Sequence, residues 1–259
     1  NGRAISPLHK KLLDYCEWFY NIPYTRWCQK FPCKKSGINA KKREEKIIVS
    51  LTTYPKRIST LWLTIDSLLQ QTVKPDEIIL WLANSQFENG LEDLPDSLLQ
   101  LQRRGLTIRF CDDLRSHKKY YFALQEYPDD LVILADDDMF YPRDTIAKLL
   151  DMHKRHPQDI CCMTAQVIDP GFTTMPSVWR NPKLEEHDLQ HSDRIQAFTG
   201  SGTLITSGAL PKEAFDAEKI KFLCLHADDL WITFMAHLAG TKITTQQKWR
   251  PFPVTIYGT

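Results

Sequence analysis

The sequence predicts an α/β fold, in which a mostly parallel sheet is flanked by helices and preceded by a short basic helical extension. From residue 46 to residue 155, apolar β-branched runs alternate with helical patterns at the spacing typical of βαβ units. The composition, with 42% hydrophobic and 25% charged residues, is that of a globular protein. A length of 259 residues suffices for one large domain with an appended segment.

Four strands are predicted in the first half of the chain. The run KIIVSLT, residues 46–52, is apolar without strict alternation, as expected for a strand that is buried on both faces. Three further apolar runs follow at 77–83, 106–111 and 131–135. Parallel pairing brings the carboxyl ends of such strands to one edge of the sheet, where open α/β sheets bind ligands.

Helices are predicted between and after these strands. Ser59 or Thr60 can cap the first helix, and Pro95 suits the first turn of the second. The four predicted helices span residues 59–71, 95–104, 118–126 and 142–154.

The second half of the chain is less regular. Strands are predicted at 160–168 and 202–206, and an apolar-striped helix at 228–239 ends at Gly240. A loop rich in Pro, His and charged residues is predicted at 169–193.

The charge is uneven, although the net charge is only +1. Residues 1–46 hold eleven Lys or Arg residues against four Asp or Glu residues, and a short amphipathic helix is predicted at 8–20. A basic segment before an acidic body indicates contact with something anionic, such as a membrane surface, a partner domain or an anionic polymer. A solvated, partly flexible leader is the alternative.

The cysteines and the hydropathy indicate the compartment. Seven cysteines, an odd number, show no CxxC pair and no paired zinc spacing, so reduced thiols are the simplest explanation. No apolar run approaches the roughly 18 residues of a membrane span, and we expect no secretory signal. We therefore expect a cytoplasmic protein, with peripheral contact at the inner face of the membrane through the basic segment.

The strongest functional signal is the segment LVILADDDMFYP, residues 131–142. Asp136, Asp137 and Asp138 directly follow a buried strand, and three adjacent like charges are costly unless a cation compensates them. Because alternate residues of an extended chain face the same side, Asp136 and Asp138 can converge while Asp137 points elsewhere. Two carboxylates together with diphosphate oxygens suit Mg²⁺ or Mn²⁺. A solvated acidic turn that caps the following helix is the alternative.

Five segments, in this order, resemble a bacterial glycosyltransferase of the GT-A fold, similar to family 2 enzymes that build surface polysaccharide such as capsule or lipopolysaccharide. They are SLTTYPKRI (50–58), SHKKYYFAL (116–124), ILADDDMFYP (133–142), TGSGTLI (199–205) and HADDLWITFMAHLAG (226–240). The resemblance implies that the Asp triplet is the Asp-X-Asp motif, with Asp136 and Asp138 on the metal and Asp136 and Asp137 at the nucleotide sugar.

The resemblance also implies a division of the chain. Residues 1–45 would be a basic extension, and residues 46–259 a GT-A domain. Within that domain, 46–155 would bind the nucleotide and 156–259 the acceptor.

A polar loop follows the first predicted strand. In GT-A enzymes the equivalent loop cradles the base and ribose, which nominates Thr52, Thr53, Tyr54 and Arg57. A helix cap with exposed basic residues is the alternative. No GxGxxG follows this strand and no GxxxxGK occurs, which disfavours dinucleotide oxidoreductases and P-loop NTPases.

Two lysines begin the predicted helix at 118–126. Lys118 or Lys119 can reach a diphosphate as a point charge, and a helix N-terminus favours an anion. Related bacterial enzymes often have Gly-Pro before this lysine, whereas RSH stands here, so the choice between the two lysines stays open. A solvated basic helix start is the alternative.

A glycine-rich turn is a further candidate. Gly200, Ser201 and Gly202 lie in a stretch where glycine allows close approach of the backbone, and in similar enzymes this turn borders the sugar and the acceptor. An ordinary turn is the alternative.

An acidic pair opens the predicted helix at 228–239. By the resemblance, Asp229 is the general base of an inverting transfer and Asp228 its neighbour, which orients the acceptor or the sugar. Helix capping by the two carboxylates is the alternative. His226 is a candidate third metal ligand, against a purely structural role.

Together these observations lead us to expect a metal-dependent glycosyltransferase that uses Mn²⁺ or Mg²⁺. It would move a sugar, with inversion, from a nucleoside-diphosphate donor, preferably a UDP-sugar, to a saccharide or lipid-linked saccharide; we expect no nucleic-acid partner. One alternative is a sugar-1-phosphate nucleotidyltransferase, whose usual Gly-rich, Arg-containing loop is absent after the first strand. The other is a non-catalytic relative that binds a saccharide or a partner.

Overall fold

The computed structural model describes residues 7–167, 191–193, 195–245 and 254–259. Most of the loop predicted at 169–193 lies outside the described residues, as do the first residues of the basic extension and residue 168 of a predicted strand.

Helices and strands alternate along the described chain. The helices are α1 (Pro7–Phe19), α2 (Thr25–Lys30), α3 (Leu61–Leu68), α4 (Asp96–Leu99), α5 (Lys118–Glu126), α6 (Thr145–Arg155), α7 (Ala217–Leu223) and α8 (Asp228–Ala239). The strands are β1 (Ile47–Thr52), β2 (Glu77–Ala83), β3 (Leu106–Cys111), β4 (Leu131–Ala135), β5 (Met139–Phe140), β6 (Ile160–Cys162), β7 (Ala165–Val167), β8 (His191–Ser192), β9 (Ile195–Ala197), β10 (Thr203–Ile205), β11 (Ile243–Thr245) and β12 (Val254–Thr255).

Eight of the described strands form one sheet, in the order β3-β2-β1-β4-β10-β6-β11-β8. Neighbours from β3 to β4 are parallel, whereas β10 and β8 run antiparallel to the strands beside them. The chain leaves β1 towards β2 and β3 on one side and returns to β4 on the other. The mostly parallel sheet confirms the predicted fold class, and the strand order reverses between β1 and β4, where such sheets bind ligands.

The register of β1 and β4 brings two predicted segments to one level. Leu51 pairs with Ala135, so Thr52 and Asp136 leave the sheet side by side at its carboxyl edge. Both strands are buried because α3 and α6 cover one face of the sheet while α5 and α8 cover the other. Coverage on both faces explains why the strand sequences are apolar without alternation.

Two predicted elements differ from the structure. The strand predicted at 160–168 is divided, because β6 pairs within the main sheet while β7 pairs with β9 in a separate two-stranded sheet. The helix predicted at 95–104 is the short α4 followed by a 3₁₀ turn, Gln100–Arg104. Gly105 ends this turn with a φ of +117°, a conformation that glycine adopts without steric cost.

The basic extension packs against the body of the protein. Asn21 Nδ2 donates to the Thr255 carbonyl oxygen over 2.9 Å, and Asn21 Oδ1 accepts from the Tyr257 amide over 2.7 Å. Arg104 Nε donates to the Lys35 carbonyl oxygen over 3.2 Å. The boundary near residue 45 stays a prediction. Within the described residues, no helix has both the length and the apolar character that a membrane crossing requires.

The buried ion pair of Arg104 and Asp66 provides a test of this packing. Arg104 is 6% exposed and its Nη1 contacts Asp66 Oδ1, so removing one partner leaves the other charge buried alone. We expect Arg104→Met to lower the free energy of unfolding by about 3 kcal/mol in urea denaturation. The double variant Arg104→Met/Asp66→Leu should recover most of that loss. As a control, Arg103→Met at the exposed neighbouring position should change the free energy of unfolding little. Equal losses for Arg103→Met and Arg104→Met would contradict the expectation.

Candidate active site

The Asp triplet lies where β4 ends, and its middle residue is buried. Asp137 is 5% exposed, and its two carboxylate oxygens accept from Thr53 Oγ1 over 2.5 Å and from Arg57 Nη1 over 2.7 Å. Asp137 therefore fastens the loop after β1 to the end of β4. The nucleotide-binding roles predicted for Asp137 and Thr53 do not fit this arrangement, because each side chain is occupied by the other.

The predicted alternation is seen only for Asp136, which contacts Lys119, whereas Asp137 and Asp138 both contact Arg57 Nη1. The Asp136 side chain is 36% exposed, and Asp138 Oδ2 lies 3.0 Å from Arg57 Nη1. Asp138 Oδ1 is buried and has no hydrogen-bond partner among the described residues. Burial and the neighbouring charge of Asp136 raise the pKa of the Asp138 carboxyl. An oxygen of this kind can accept a cation or a donor from a bound molecule.

Lys119 joins the triplet to the start of α8. Its buried Nζ lies 2.5 Å from Asp136 Oδ1 and 2.9 Å from Asp228 Oδ2. Burial alone would lower the pKa of Lys119, but the surrounding carboxylates hold it well above its usual value. Lys118 points elsewhere, with its Nζ 3.0 Å from Asp113 Oδ1. The structure therefore distinguishes the two candidate lysines: Lys119 is at the acidic centre and Lys118 is paired outside it.

The acidic pair at the start of α8 is held by Thr199. The Thr199 amide donates to Asp229 Oδ1 over 2.9 Å, and the Thr199 hydroxyl lies 2.5 Å from the same oxygen and 3.1 Å from Asp228 Oδ2. A capping role alone does not account for this geometry, since both carboxylates accept hydrogen bonds from Thr199 and Asp228 contacts Lys119.

The environments of Asp228 and Asp229 separate their pKa values. Burial would raise the pKa of Asp228, but the Lys119 ammonium and the Ser116 hydroxyl hold it below its usual range. Burial and the charge of Asp228 raise the pKa of Asp229. Two neighbouring carboxyls with divergent pKa values are typical of sites that transfer protons.

The glycine-rich turn closes against the triplet at one residue. A Cβ at Gly200 would lie 1.7 Å from Asp136 Oδ2, so only glycine leaves room for that carboxylate. The buried Tyr141 hydroxyl accepts from the Asp136 amide over 2.8 Å and donates to the Gly200 carbonyl oxygen. The other two predicted residues face the core: the Ser201 hydroxyl donates to the Phe198 carbonyl oxygen over 2.9 Å, and Gly202 borders Thr145.

The loop after β1 exposes Tyr54 beside the half-buried Arg57. Tyr54 is 39% exposed, and the Arg57 guanidinium lies 5.4 Å from the centre of its ring. The Thr52 hydroxyl instead donates to the Trp81 carbonyl oxygen of β2 over 2.8 Å. Of the four residues predicted to bind the nucleotide here, Tyr54 is therefore the exposed one, and Arg57 is half-buried and paired with Asp137 and Asp138.

His226 is not brought together with Asp136 and Asp138. Within the described residues, one set of three His, Cys, Asp or Glu side chains has ligand atoms within 4.8 Å of one another, and that set is His156, Asp159 and His191. His226 is exposed and does not belong to such a set. The predicted third metal ligand is thus not part of the acidic centre.

The His156 set lies at the opposite edge of the sheet, where β6 begins. The rings of His156 and His191 stack at 4.4 Å with an angle of 24° between their planes. Because imidazole lone pairs lie in the ring plane, stacked rings do not direct them to one point. Asp159, 4% exposed, accepts from the Thr244 hydroxyl over 2.5 Å and contacts His191 Nδ1, which is a structural arrangement.

The acidic centre carries excess negative charge. Five carboxylates lie around two cationic side chains: four of them contact Arg57 or Lys119, and the fifth, Asp229, is bound by Thr199. The five are Asp136, Asp137, Asp138, Asp228 and Asp229. Carboxylate oxygens, one of them buried and unpartnered, are the donors that Mg²⁺ and Mn²⁺ prefer, so Asp136 and Asp138 fit a divalent cation.

Sequence reasoning overlooked two residues of this centre. Tyr141, five residues after Asp136, supports the triplet from the core, and Thr199 positions both acids of α8. Both stand inside the segments already singled out, but nothing in their spacing distinguishes them from core or turn residues.

Comparisons with known proteins agree with this architecture. The family model described as Glycosyl transferase family 2 matches residues 48–209, and no curated protein matches the chain. Among solved structures, a 4-diphosphocytidyl-2C-methyl-D-erythritol synthase is similar, with a TM-score of 0.52, 11% identity, and coverage of 84% of this chain and 95% of that chain. At these identities the likeness concerns the fold, which is of the Rossmann-like GT-A type.

Two further solved structures are also similar. S. aureus TarS in complex with UDP has a TM-score of 0.47 at 14% identity, over 79% of this chain and 58% of that chain. Mannosyltransferase PcManGT from Pyrobaculum calidifontis, in complex with GDP-Man and Mn²⁺, has a TM-score of 0.38 at 14% identity, over 59% of this chain and 45% of that chain. The chain thus spans about half of the length of these two proteins.

The contact between Gly200 and Asp136 provides a test of the cation site. Gly200→Ala places a methyl group on Asp136 Oδ2 and must displace that carboxylate. We expect the affinity for Mn²⁺, measured by isothermal titration calorimetry, to fall by about tenfold or more. Gly208→Ala is the matched control, because a Cβ there meets nothing within 4 Å. Equal Mn²⁺ affinities for the two folded variants would contradict the assignment.

Proposed function

Because the chain belongs to glycosyl transferase family 2, we propose that it transfers a sugar, with inversion, from a nucleoside-diphosphate donor to a saccharide hydroxyl. The observation that carries this proposal is the link through Lys119, whose Nζ lies 2.5 Å from Asp136 at the end of β4 and 2.9 Å from Asp228 at the start of α8. Lys119 thus joins the carboxylates that would bind a cation to the acid pair that would accept a proton.

The donor would bind at the carboxyl ends of β1 and β4. Asp136 and Asp138 would hold Mn²⁺ or Mg²⁺, and the cation, when bound, would neutralise charge on the departing diphosphate. Tyr54, exposed next to the half-buried Arg57, would contact the base or ribose, and Arg57 would do so from its pairs with Asp137 and Asp138. We propose a UDP-sugar as the donor to be tested first.

The acceptor would be activated at α8. Asp229 takes the proton of the acceptor hydroxyl while the acceptor oxygen forms a bond to the anomeric carbon and the bond to the diphosphate breaks on the opposite face. Its raised pKa makes it a stronger base than an ordinary Asp, and its fixed contact with Thr199 orients it. Asp228 stays charged and positions Lys119, which in turn positions Asp136.

Nucleotidyl transfer is the competing proposal. In that reaction the phosphate of a sugar 1-phosphate is the nucleophile and is already ionised, so no base beside it is needed. An acid pair with divergent pKa values therefore favours glycosyl transfer. The loop after β1 also has no glycine, with none between Gly37 and Gly90. A saccharide or lipid-linked acceptor, and a role in building surface polysaccharide, are part of our proposal.

Cation-dependent nucleotide binding provides the first test. In a thermal-shift screen with UDP, GDP, CMP and dTDP, we expect one nucleotide to raise the Tm only when Mn²⁺ is present, because ligands that bind the folded state stabilise it. Asp138→Ala should abolish this shift. Asp151→Ala, which removes an exposed acid of α6, should keep it. A shift retained by Asp138→Ala would reject Asp138 as a cation ligand.

The role of Asp229 provides the second test. We expect Asp229→Asn to reduce kcat for transfer from the donor found in the screen by roughly 10²- to 10⁴-fold, with the nucleotide-induced Tm shift retained. Asp216→Asn, an equivalent change at the start of α7, should leave the rate unchanged, since Asp216 only caps that helix.

A pH profile separates a base from a structural residue. Because the pKa of Asp229 is raised, the rate should fall as the pH drops through that raised pKa and be constant above it. The Asp229→Asn variant should not show this fall in rate at low pH. Unchanged kcat in Asp229→Asn would reject Asp229 as the base, whereas the absence of sugar transfer by the unmodified protein would favour the non-catalytic relative or the nucleotidyltransferase.

A further inference from the structure

The N-terminal segment carries an unusual share of the exposed apolar side chains. Fourteen large hydrophobic side chains are exposed among the described residues, and half of them fall between residues 12 and 31. We call this set the aromatic surface; it consists of Leu12, Tyr15, Trp18, Phe19, Tyr20, Trp27 and Phe31.

Helical spacing gathers the aromatic surface on the outside of the segment. Tyr15 lies 5.7 Å from Trp18 and 6.5 Å from Phe19 between ring centroids, and the Trp27 and Phe31 rings, tilted by 45°, lie 4.5 Å apart. These contacts join neighbouring residues of the segment to one another and leave Trp27 61% exposed and Tyr15 59% exposed. The two groups of rings therefore present apolar surface to the outside instead of filling the core.

The opposite side of the same segment is held by the body. Asn21 exchanges hydrogen bonds with the chain around β12, Cys28 is buried, and the Tyr24 ring lies 6.1 Å from Phe140. These tertiary contacts fix the orientation of the segment, so the aromatic surface faces outward.

Basic side chains outnumber acidic ones along the same segment. Between residues 11 and 42 the two acids are Asp14 and Glu17, and the seven exposed basic residues are Lys11, Arg26, Lys30, Lys34, Lys35, Lys41 and Lys42. Lys30 Nζ lies 5.5 Å from the centre of the Phe31 ring, so charge and apolar surface are adjacent. The excess of positive charge on this segment favours an anionic partner, and it disfavours a second copy that docks through the same segment, which would bring like charges together.

We propose that this segment docks the protein on an anionic lipid surface. Trp and Tyr rings occupy the headgroup level of a bilayer, while Lys and Arg stems lie along apolar surface with their charges at the anionic headgroups. The mixture of exposed aromatic and basic residues on one segment has this chemistry. The inference does not depend on the transfer reaction.

The docking segment is also connected to the acidic centre. β5 follows Asp138 directly, its Phe140 lies 5.4 Å from the Tyr20 ring, and the Ile256 amide donates to the Asp138 carbonyl oxygen over 2.8 Å. Docking would hold the site at a set distance from the lipid surface. A benefit for a lipid-linked acceptor, unlike docking itself, rests on the proposed function.

Vesicle co-sedimentation tests the docking. We expect the full chain to bind vesicles of phosphatidylcholine with phosphatidylglycerol about tenfold more tightly than vesicles of phosphatidylcholine alone, and to release them at high salt. The variant Trp18→Ser/Trp27→Ser/Phe31→Ser should lose about tenfold of that affinity. Lys30→Gln/Lys34→Gln/Lys35→Gln should reduce it as well, and provides a second test if the aromatic variant does not fold by circular dichroism.

The controls decide between occupants of the surface. Phe234→Ser/Leu238→Ser removes two exposed apolar side chains of α8, 57% and 71% exposed, and should leave vesicle binding unchanged. Absence of binding by the unmodified chain, equal binding to both vesicle types, or an equal loss in the α8 control would overturn the proposal. A dimer in size-exclusion chromatography that the aromatic variant abolishes would instead assign the surface to a second copy.

Discussion

The main constraint on this structure is that the fold brings five carboxylates to one edge of its sheet, where their mutual repulsion has to be compensated. Asp136, Asp137 and Asp138 end β4, and Asp228 and Asp229 begin α8. In a partly buried setting such a cluster persists only if cations compensate it. Arg57 and Lys119 do so in part, and the cation that we propose would compensate the remaining negative charge.

The supporting contacts divide the acids into different roles. Asp137 is occupied by Thr53 and Arg57 and fastens one loop to the next strand, whereas Asp138 keeps an unpartnered buried oxygen. Asp228 is held in the charged form by Lys119, and its charge helps to raise the pKa of Asp229. One lysine thus links the side of the site that suits a diphosphate to the side that suits a hydroxyl.

Much of the fold could be predicted because its signals are local. Strands buried on both faces have continuous apolar runs, so β1 to β4 were placed within a residue of their observed bounds. The division between β6 and β7 could not be predicted, since it arises from pairing with β10 and β9, which are distant in sequence. The sequence also could not predict that Ser201 and Gly202 face the core, because the residues of a turn do not show which of them would meet a ligand.

The sequence by itself determined the α/β class, the position of the Asp triplet at a strand end and the uneven charge of the chain, because periodicity, composition and adjacency are properties of neighbouring residues. Only the tertiary structure decided that Lys119 and not Lys118 joins the acids, that Asp137 is buried, that His226 stands apart and that Tyr141 and Gly200 enclose Asp136. Those outcomes depend on which residues of distant segments come within a few ångströms of each other, and burial and hydrogen bonding between such segments set the charge state of each group.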